Sequence, residues 1–324
     1  MQSRLLLQAG NKYDIIKAAV YTAAFNFCFI KLLSNKKGIK KMAKKVFITS
    51  DSTCDISPEM REQLGIDVAP LKILLGDIEH KDGIDIVPDD IYKFYNENKK
   101  TPKTAAVTPA EYTELFEKYT SQGYAIVHVA FTSKLSSSCQ NAMIAASDFE
   151  DVYVVDSLQL CSGQALLVFE ACRLRDSGME ASQIAAALEE QKTKVRTSFV
   201  IPSLEFLSKG GRCSSLTALG ANVLGIKPSI EMADGSLSVG KKYRGKADVV
   251  YEKYIEDKLS ESDKIDLSAK VVFANSGIPK ELSQKLVKLI KSKLPKADII
   301  EMIAGCTITS HCGPGTVAVI FMVK

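Results

Sequence analysis

Little in this chain marks a catalytic class. Its 324 residues contain no G-x-S-x-G elbow, no Walker loop, no G-x-G-x-x-G after a strand pattern and no H-E-x-x-H, so hydrolase, nucleotidase and zinc-peptidase readings find no support. Eight cysteines (Cys28, Cys54, Cys139, Cys161, Cys172, Cys213, Cys306, Cys312) are scattered without a C-x-x-C pair or a metal-like spacing. That excludes a small fold stapled by bridges and points to a reducing compartment. Long apolar runs are nearly missing as well. The one exception, residues 18–30 between Lys17 and Lys31, is too short to span a bilayer core of about 30 Å as a helix rising about 1.5 Å per residue. No internal repeat or low-complexity stretch is present.

Basic charge is missing from the body of the chain. The net charge of +4 divides unevenly: residues 1–41 hold eight Lys/Arg against one acid, leaving 34 basic against 37 acidic residues in the remaining 283. The body is therefore mildly acidic, and no basic patch supports nucleic-acid binding. For the 1–41 leader three readings stand. The simplest takes Met42 as the native start and the leader as upstream sequence, disordered or not native. The second is a basic amphipathic segment on a membrane surface. The third is a secretion signal, although its apolar run sits far from the basic start and is followed by Lys31-Leu-Leu-Ser-Asn-Lys-Lys rather than small residues.

What remains is ordinary globular material, 46% hydrophobic and 25% charged, long enough for two medium domains. In the first, 42–195, Lys45–Thr49, Ala125–Phe131 and Val152–Val155 are β-rich runs that each end in a Ser/Asp loop, with helix-like stretches at 110–121, 138–147 and 162–177. Strand, polar loop and helix in repetition predict a parallel α/β sheet whose loops meet at one edge, where ligands bind. In the second, 196–324, the pattern predicts an α+β domain with an antiparallel sheet. It comprises an apolar run at 198–201, a helix with Leu204 and Leu207 inward, and a helix capped by Ser214 or Ser215 with Leu216, Leu219, Val223 and Leu224 on one face. A hairpin at 230–239 turning on Asp234-Gly235, strands at 271–274 and 317–323, and a helix at 280–293 complete it.

Candidate binding residues lie at the ends of these elements. Ser136 falls at the expected N-cap of a helix just past a strand, where unpaired N–H groups suit a carboxylate or phosphate. Thr108 before Pro109 fits a helix start, leaving Thr104 just upstream in a polar loop with a free hydroxyl. His311 lies in a glycine-rich turn, Thr309-Ser-His-Cys-Gly-Pro-Gly315, and can donate to an anion. His80, in a charged loop, and His128, inside a strand pattern, are weaker candidates, and His128 reads as structural. Arg212 and Arg244 each stand beside glycine and suit phosphate or carboxylate recognition.

Taken in order, Thr49-Ser-Asp-Ser-Thr-Cys-Asp55, Lys103-Thr104, Thr132-Ser-Lys-Leu-Ser136, Val155-Asp-Ser157, Gly210-Gly-Arg-Cys-Ser214, Ile226-Lys-Pro228 with Asp234-Gly235, Lys242-Tyr-Arg-Gly245 and His311-Cys-Gly-Pro-Gly315 resemble the DegV family of bacterial fatty-acid-binding proteins. These are acyl carriers that serve fatty acid kinase, and the resemblance covers 44–324. It implies a cytoplasmic, non-catalytic carrier that encloses one long-chain fatty acid between its two domains and needs no cofactor or metal; a monomer is the default expectation, apart from the resemblance. Thr104, Ser136 and His311 would bind the carboxylate. Asp51, Ser52, Thr53, Ser133, Gly313 and Gly315 would line or support that edge, and Arg212 and Arg244 would face the kinase or its phosphate. The implied partners are the fatty acid and an ATP-dependent fatty acid kinase; nucleic acid is not one, and membrane contact is at most transient. Two departures bear on head-group geometry and chain preference: the family's T-S-Q-P reads Thr104-Ala-Ala-Val107, and its L-S-G-T reads Leu135-Ser-Ser-Ser138.

Two other readings compete. One is a small-molecule hydrolase or transferase with Ser136 as nucleophile, His311 as base and Asp51 or Asp156 orienting it. The other is a membrane-attached lipid binder using the leader. Cys54, Cys139, Cys213 and Cys312 each fall in a motif loop, where cysteine serves as small apolar filler rather than as a metal or redox group.

Overall fold

The computed structural model of the protein describes residues 44–213 and 225–324; the leader and the helix expected after Ser214 lie outside the described residues. In chain order the strands are β1 (Val46–Asp51), β2 (Ile66–Ala69), β3 (Lys72–Leu75), β4 (Ile78–Lys81), β5 (Lys103–Ala105), β6 (Ala125–Ala130), β7 (Val152–Asp156), β8 (Val195–Val200), β9 (Ile226–Ala233), β10 (Ser236–Arg244), β11 (Val271–Asn275), β12 (Ile299–Ile303) and β13 (Val317–Met322). The α-helices are α1 (Pro58–Leu64), α2 (Pro88–Asn98), α3 (Pro109–Thr120), α4 (Ser138–Ala146), α5 (Cys161–Asp176), α6 (Ala181–Gln191), α7 (Glu205–Gly210), α8 (Ala247–Lys258), α9 (Lys280–Lys293) and α10 (Cys306–Cys312).

The first sheet runs β2-β1-β6-β7 and is parallel throughout, as the strand–loop–helix rhythm predicts. Its β6 is buried along its whole length, the signature of a strand covered on both faces. The second sheet runs β10-β9-β8-β13-β11-β12. It is antiparallel except for the β11–β12 pair, which is parallel, so the antiparallel expectation holds for all but one edge. Asp234 and Gly235 carry φ of +48° and +82° in the β9–β10 turn, the conformation an Asp-Gly hairpin requires.

Strand alternation decides which residues face the interior. Thr197 and Phe199 of β8, Ala318 and Ile320 of β13 and Val272 and Ala274 of β11 are register partners on one face. Val200, Val317, Val319 and Phe273 lie on the other, packed with Tyr251 and Tyr254 of α8 and Leu286 and Ile290 of α9. Helix α5 packs against β1 and β6 of the first sheet and β8 and β13 of the second. It is buried on nearly every side, as a helix between two sheets must be. Its Gln164 donates to Ser50 Oγ (2.9 Å) and the Val129 carbonyl (3.1 Å) and accepts from Thr53 Oγ1 (2.8 Å), which ties it to the ends of β1 and β6.

A third sheet, β4-β3-β5, is three-stranded and antiparallel. Ile73 of β3 packs with Ile86, Ile91 and Cys306 in a small separate core. Helix α3 starts as expected: Thr108 Oγ1 accepts from Glu111 N–H (3.3 Å), and the Glu111 carboxylate accepts from Thr108 N–H (2.8 Å), with Pro109 at the first position. Among the described residues no helix is long and apolar enough to cross a membrane.

Candidate functional site

A cavity lies along the inner face of the second sheet, enclosing about 890 Å³ of space free of protein atoms, the solvent at its mouth included. Small residues make the space: Ala105, Ala106, Ala274, Ala304 and Ala318 line it where larger side chains would close it. Most of the remaining wall is apolar, with Phe131, Leu160, Phe199 and Ile320 among its residues.

Two polar side chains meet at one corner. Thr104 Oγ1 lies 2.9 Å from His311 Nε2, and Ser136 and Arg212 line the same cavity. Thr104 reaches this corner from β5, a strand rather than the expected loop, and its hydroxyl is bonded rather than free. His311 sits in the last turn of α10, not in the glycine-rich turn that follows. The α10 sequence, Cys-Thr-Ile-Thr-Ser-His-Cys, has low helix propensity, and its N-cap, Gly305, has no side chain with which to cap. The Asp82 carboxylate caps instead, accepting from Cys306 N–H (2.9 Å) and Thr307 N–H (3.3 Å), while Ser52 Oγ donates to it (2.9 Å). Ser52 therefore positions His311 at one remove.

The imidazole is packed closely. A Cβ on Gly210 would stand 2.3 Å from His311 Nδ1, and that buried nitrogen has no hydrogen-bond partner. Burial, with the nearby Arg212 charge adding to it, pulls the His311 pKa down to about 4, so the ring is neutral at pH 7. Gly313 and Gly315 (φ +72° and +78°) shape the following turn. Gly313 abuts Phe206, where a Cβ would come within 2.7 Å, and its carbonyl accepts from Ser276 Oγ at 2.5 Å.

Ser136 precedes α4 by two residues. The N-cap is Ser137, whose side chain makes no cap bond; Ser136 Oγ accepts from Ser138 N–H at 3.1 Å and does the capping from one residue upstream. Ser133 N–H donates to Asp156 (3.3 Å), joining the loops after β6 and β7. Arg212 is exposed and donates to the Gly210 carbonyl (2.7 Å), and Arg244 ends β10, away from the cavity lining.

Asp51, Thr53 and His128 are buried behind the sheet edge rather than on the cavity wall. Asp51 accepts from Phe131 N–H (2.7 Å) and from the Tyr112 hydroxyl, and lies 3.4 Å from His128 Nε2. His128 Nδ1 is 3.0 Å from Thr49 Oγ1, the structural role expected of a strand histidine. His80 lies in β4 and faces Asp85 at 3.9 Å. Asp156 accepts from Ser133 and Leu158 N–H groups. With Ser136 bonded to its own loop and His311 to Thr104, these contacts do not line up a nucleophile, a base and an orienting carboxylate.

The described cysteines are free and buried. Burial pushes the Cys54 thiol up to about 12 and Cys312 to about 11, so neither supplies thiolate at neutral pH. Among the described cysteines only Cys161 and Cys312 line the cavity, and among the described residues no group of three His, Cys, Asp or Glu could hold a metal. Thr197 and Thr307 also line the cavity. Sequence reading passed over both, because a lone threonine in an apolar strand or short helix carries no signal.

Comparison with known proteins agrees with this layout. The family model described as "Uncharacterised protein, DegV family" matches residues 45–324. A DegV domain-containing protein of Clostridium acetobutylicum is 33% identical over 285 residues, covering 87% of this chain and 99% of that protein. A fatty-acid-binding DegV family protein of Thermus thermophilus superposes with a TM-score of 0.79 at 25% identity, over 86% of this chain and 100% of the other. A stearic-acid-binding protein of Eubacterium ventriosum gives 0.74 at 28% identity, over 86% and 98%.

Proposed function

The chain belongs to the DegV family, and on that footing we propose that it is a carrier that holds one long-chain fatty acid in the cavity with the carboxylate at Thr104, Ser136 and His311. The observation that carries this reading is the pairing of a Thr104–His311 hydrogen bond with a largely apolar, alanine-walled chamber. Two solved relatives are themselves fatty-acid binders.

Each methylene taken out of water contributes about 0.8 kcal/mol, so a stearate-length chain gains roughly 13 kcal/mol before association and ordering costs of about 4–15 kcal/mol. The apolar wall supplies affinity, and the polar corner sets direction. With the neutral His311 Nε2–H donating to Thr104 Oγ1, the two hydroxyls are left to donate to a carboxylate without the full charge of a lysine or arginine, which would hold the anion tightly and blunt it as a nucleophile. A carboxylate oxygen left free in this way suits in-line attack on the γ-phosphorus of ATP held by a fatty acid kinase, with ADP leaving and an acyl phosphate formed. In that scheme this chain presents the substrate in the cytoplasm and catalyses nothing. Exposed Arg212 at the cavity mouth and Arg244 face the kinase or its phosphate.

Denaturing mass spectrometry of an organic extract from the freshly purified full chain is the direct test. A stoichiometric fatty acid is expected. His311→Ala should lower affinity about 10–100-fold, the worth of a hydrogen bond to a charged group. An empty extract with no thermal shift on adding fatty acids would remove the reading, and turnover of an acyl ester without any partner would replace it with the Ser136/His311 enzyme.

A further inference from the structure

We infer, resting on the fatty-acid reading above, that the cavity holds a second polar subsite, remote from Thr104 and His311, built to take a hydroxyl carried in the middle of the acyl chain. Thr197 lines the cavity and is 3% exposed, and its Oγ1 has no hydrogen-bond partner. Gln159, 5% exposed, has a buried amide oxygen that is likewise unpartnered. Both lie beside one residue of α5. A Cβ on Gly163 of α5 would stand 2.1 Å from Thr197 Oγ1 and 3.0 Å from Gln159 Oε1. Glycine thus leaves the notch in which the two oxygens approach the helix, no more than about 5 Å from each other, and Thr197 carries the pair to the cavity wall, with Gln159 behind it.

The chemistry of the pair selects the ligand. A threonine hydroxyl donates and accepts, and an amide oxygen only accepts. A ligand hydroxyl accepts from Thr197 and donates to Gln159, satisfying both, whereas a methylene at that point satisfies neither and leaves two buried polar atoms unpaired. Thr197 pairs with Ile320 in the β8–β13 register, four residues along from Thr316. Thr316 lies at the His311 end, where its Oγ1 donates to the Cys312 carbonyl. At about 3.3 Å per residue the separation is about 13 Å. A hydroxyl next to the carboxylate cannot reach it; the interior of a long chain can. The neighbouring wall, Phe199, Ala318, Ile320 and Leu160, offers no competing side-chain donor.

The test measures dissociation constants of the full chain, stripped of lipid, for stearate and for hydroxystearates bearing the hydroxyl beside the carboxylate, at mid-chain or near the methyl end. The mid-chain isomer should bind about tenfold or more tighter than stearate, the worth of one to two buried hydrogen bonds. Thr197→Val, a swap of near-equal volume, should bring that ratio to parity, and Gln159→Leu should reduce it independently. Stearate binding as tightly as every hydroxylated isomer, or a ratio unmoved by Thr197→Val, overturns the subsite alone. Failure of all the acids to bind takes down the fatty-acid reading, and the subsite with it.

Discussion

Thr49 and His128 meet at 3.0 Å and Thr104 and His311 at 2.9 Å, and the two pairs differ in everything around them. The first is sealed: His128 Nε2 makes no hydrogen bond but faces the Asp51 carboxylate at 3.4 Å, with Tyr112 and Phe116 edge-on at 5.2 and 5.6 Å, and no solvent exposure. The second borders a cavity, and its remaining nitrogen has no partner. A threonine–histidine bond is thus no functional signature by itself. What the leftover valences face decides whether the pair fastens a sheet edge or is available to a ligand.

The comparison breaks most sharply at Asp51. That carboxylate holds Tyr112, the Phe131 amide and His128 together in a buried site, so Asp51→Ala strands several polar groups at once and should cost about 3–5 kcal/mol of stability. Urea unfolding measures it, and fatty-acid affinity of the fraction still folded should hold. An affinity loss without a stability loss would move Asp51 into the site.

The pH dependence of stability sharpens the same contrast. His311 has its folded pKa at about 4 against an unfolded value of 6.5. Between those limits the unfolded chain binds the extra proton, so His311 gives no penalty above about pH 6.5. Stability then falls as pH drops, and the loss levels off below about pH 4, totalling at most about 3 kcal/mol and less for a ring that keeps some solvent contact. Other carboxylates titrate in the same window, so the measurement is the difference between the native chain and His311→Gln in urea unfolding at pH 7 and pH 5. The native chain should lose more stability than the variant. Equal losses would mean that the imidazole is not held neutral by its surroundings.

Much of this contrast was legible in the sequence, and the illegible part has a physical cause. Strands ending in Ser/Asp loops announced the parallel sheet, and Asp234-Gly235 announced its hairpin, because local pattern and tertiary structure agree there. Ser136 was placed within one residue of the cap, and His128 was correctly read as structural. His311 was assigned to a turn because α10 is helical against its propensity, held by an Asp82 cap supplied from more than two hundred residues away. Thr104 was read as a loop residue because β5 is three residues long and exists only by pairing with β3. The alanine-walled cavity left no trace at all: its lining is drawn from segments distant in sequence, and each alanine alone is ordinary.

The smallest expected effects come from the two threonines, and there the contrast between the pairs is cleanest because valine keeps the volume and removes only the hydroxyl. Thr49→Val leaves a buried imidazole nitrogen of His128 without its partner and should cost about 1–3 kcal/mol of stability, with fatty-acid affinity unaffected. Thr104→Val removes one donor at a part-buried corner. It frees His311 Nε2 to turn to the ligand, so stability should change little, while affinity falls by about three- to tenfold, the net worth of a single hydrogen bond of about 0.5–1.5 kcal/mol. Paired urea unfolding and calorimetric titration of the two variants decide the matter. Affinity following Thr49 and stability following Thr104 would invert the assignment, making the sealed pair the one that senses the ligand and the cavity pair a brace between β5 and α10.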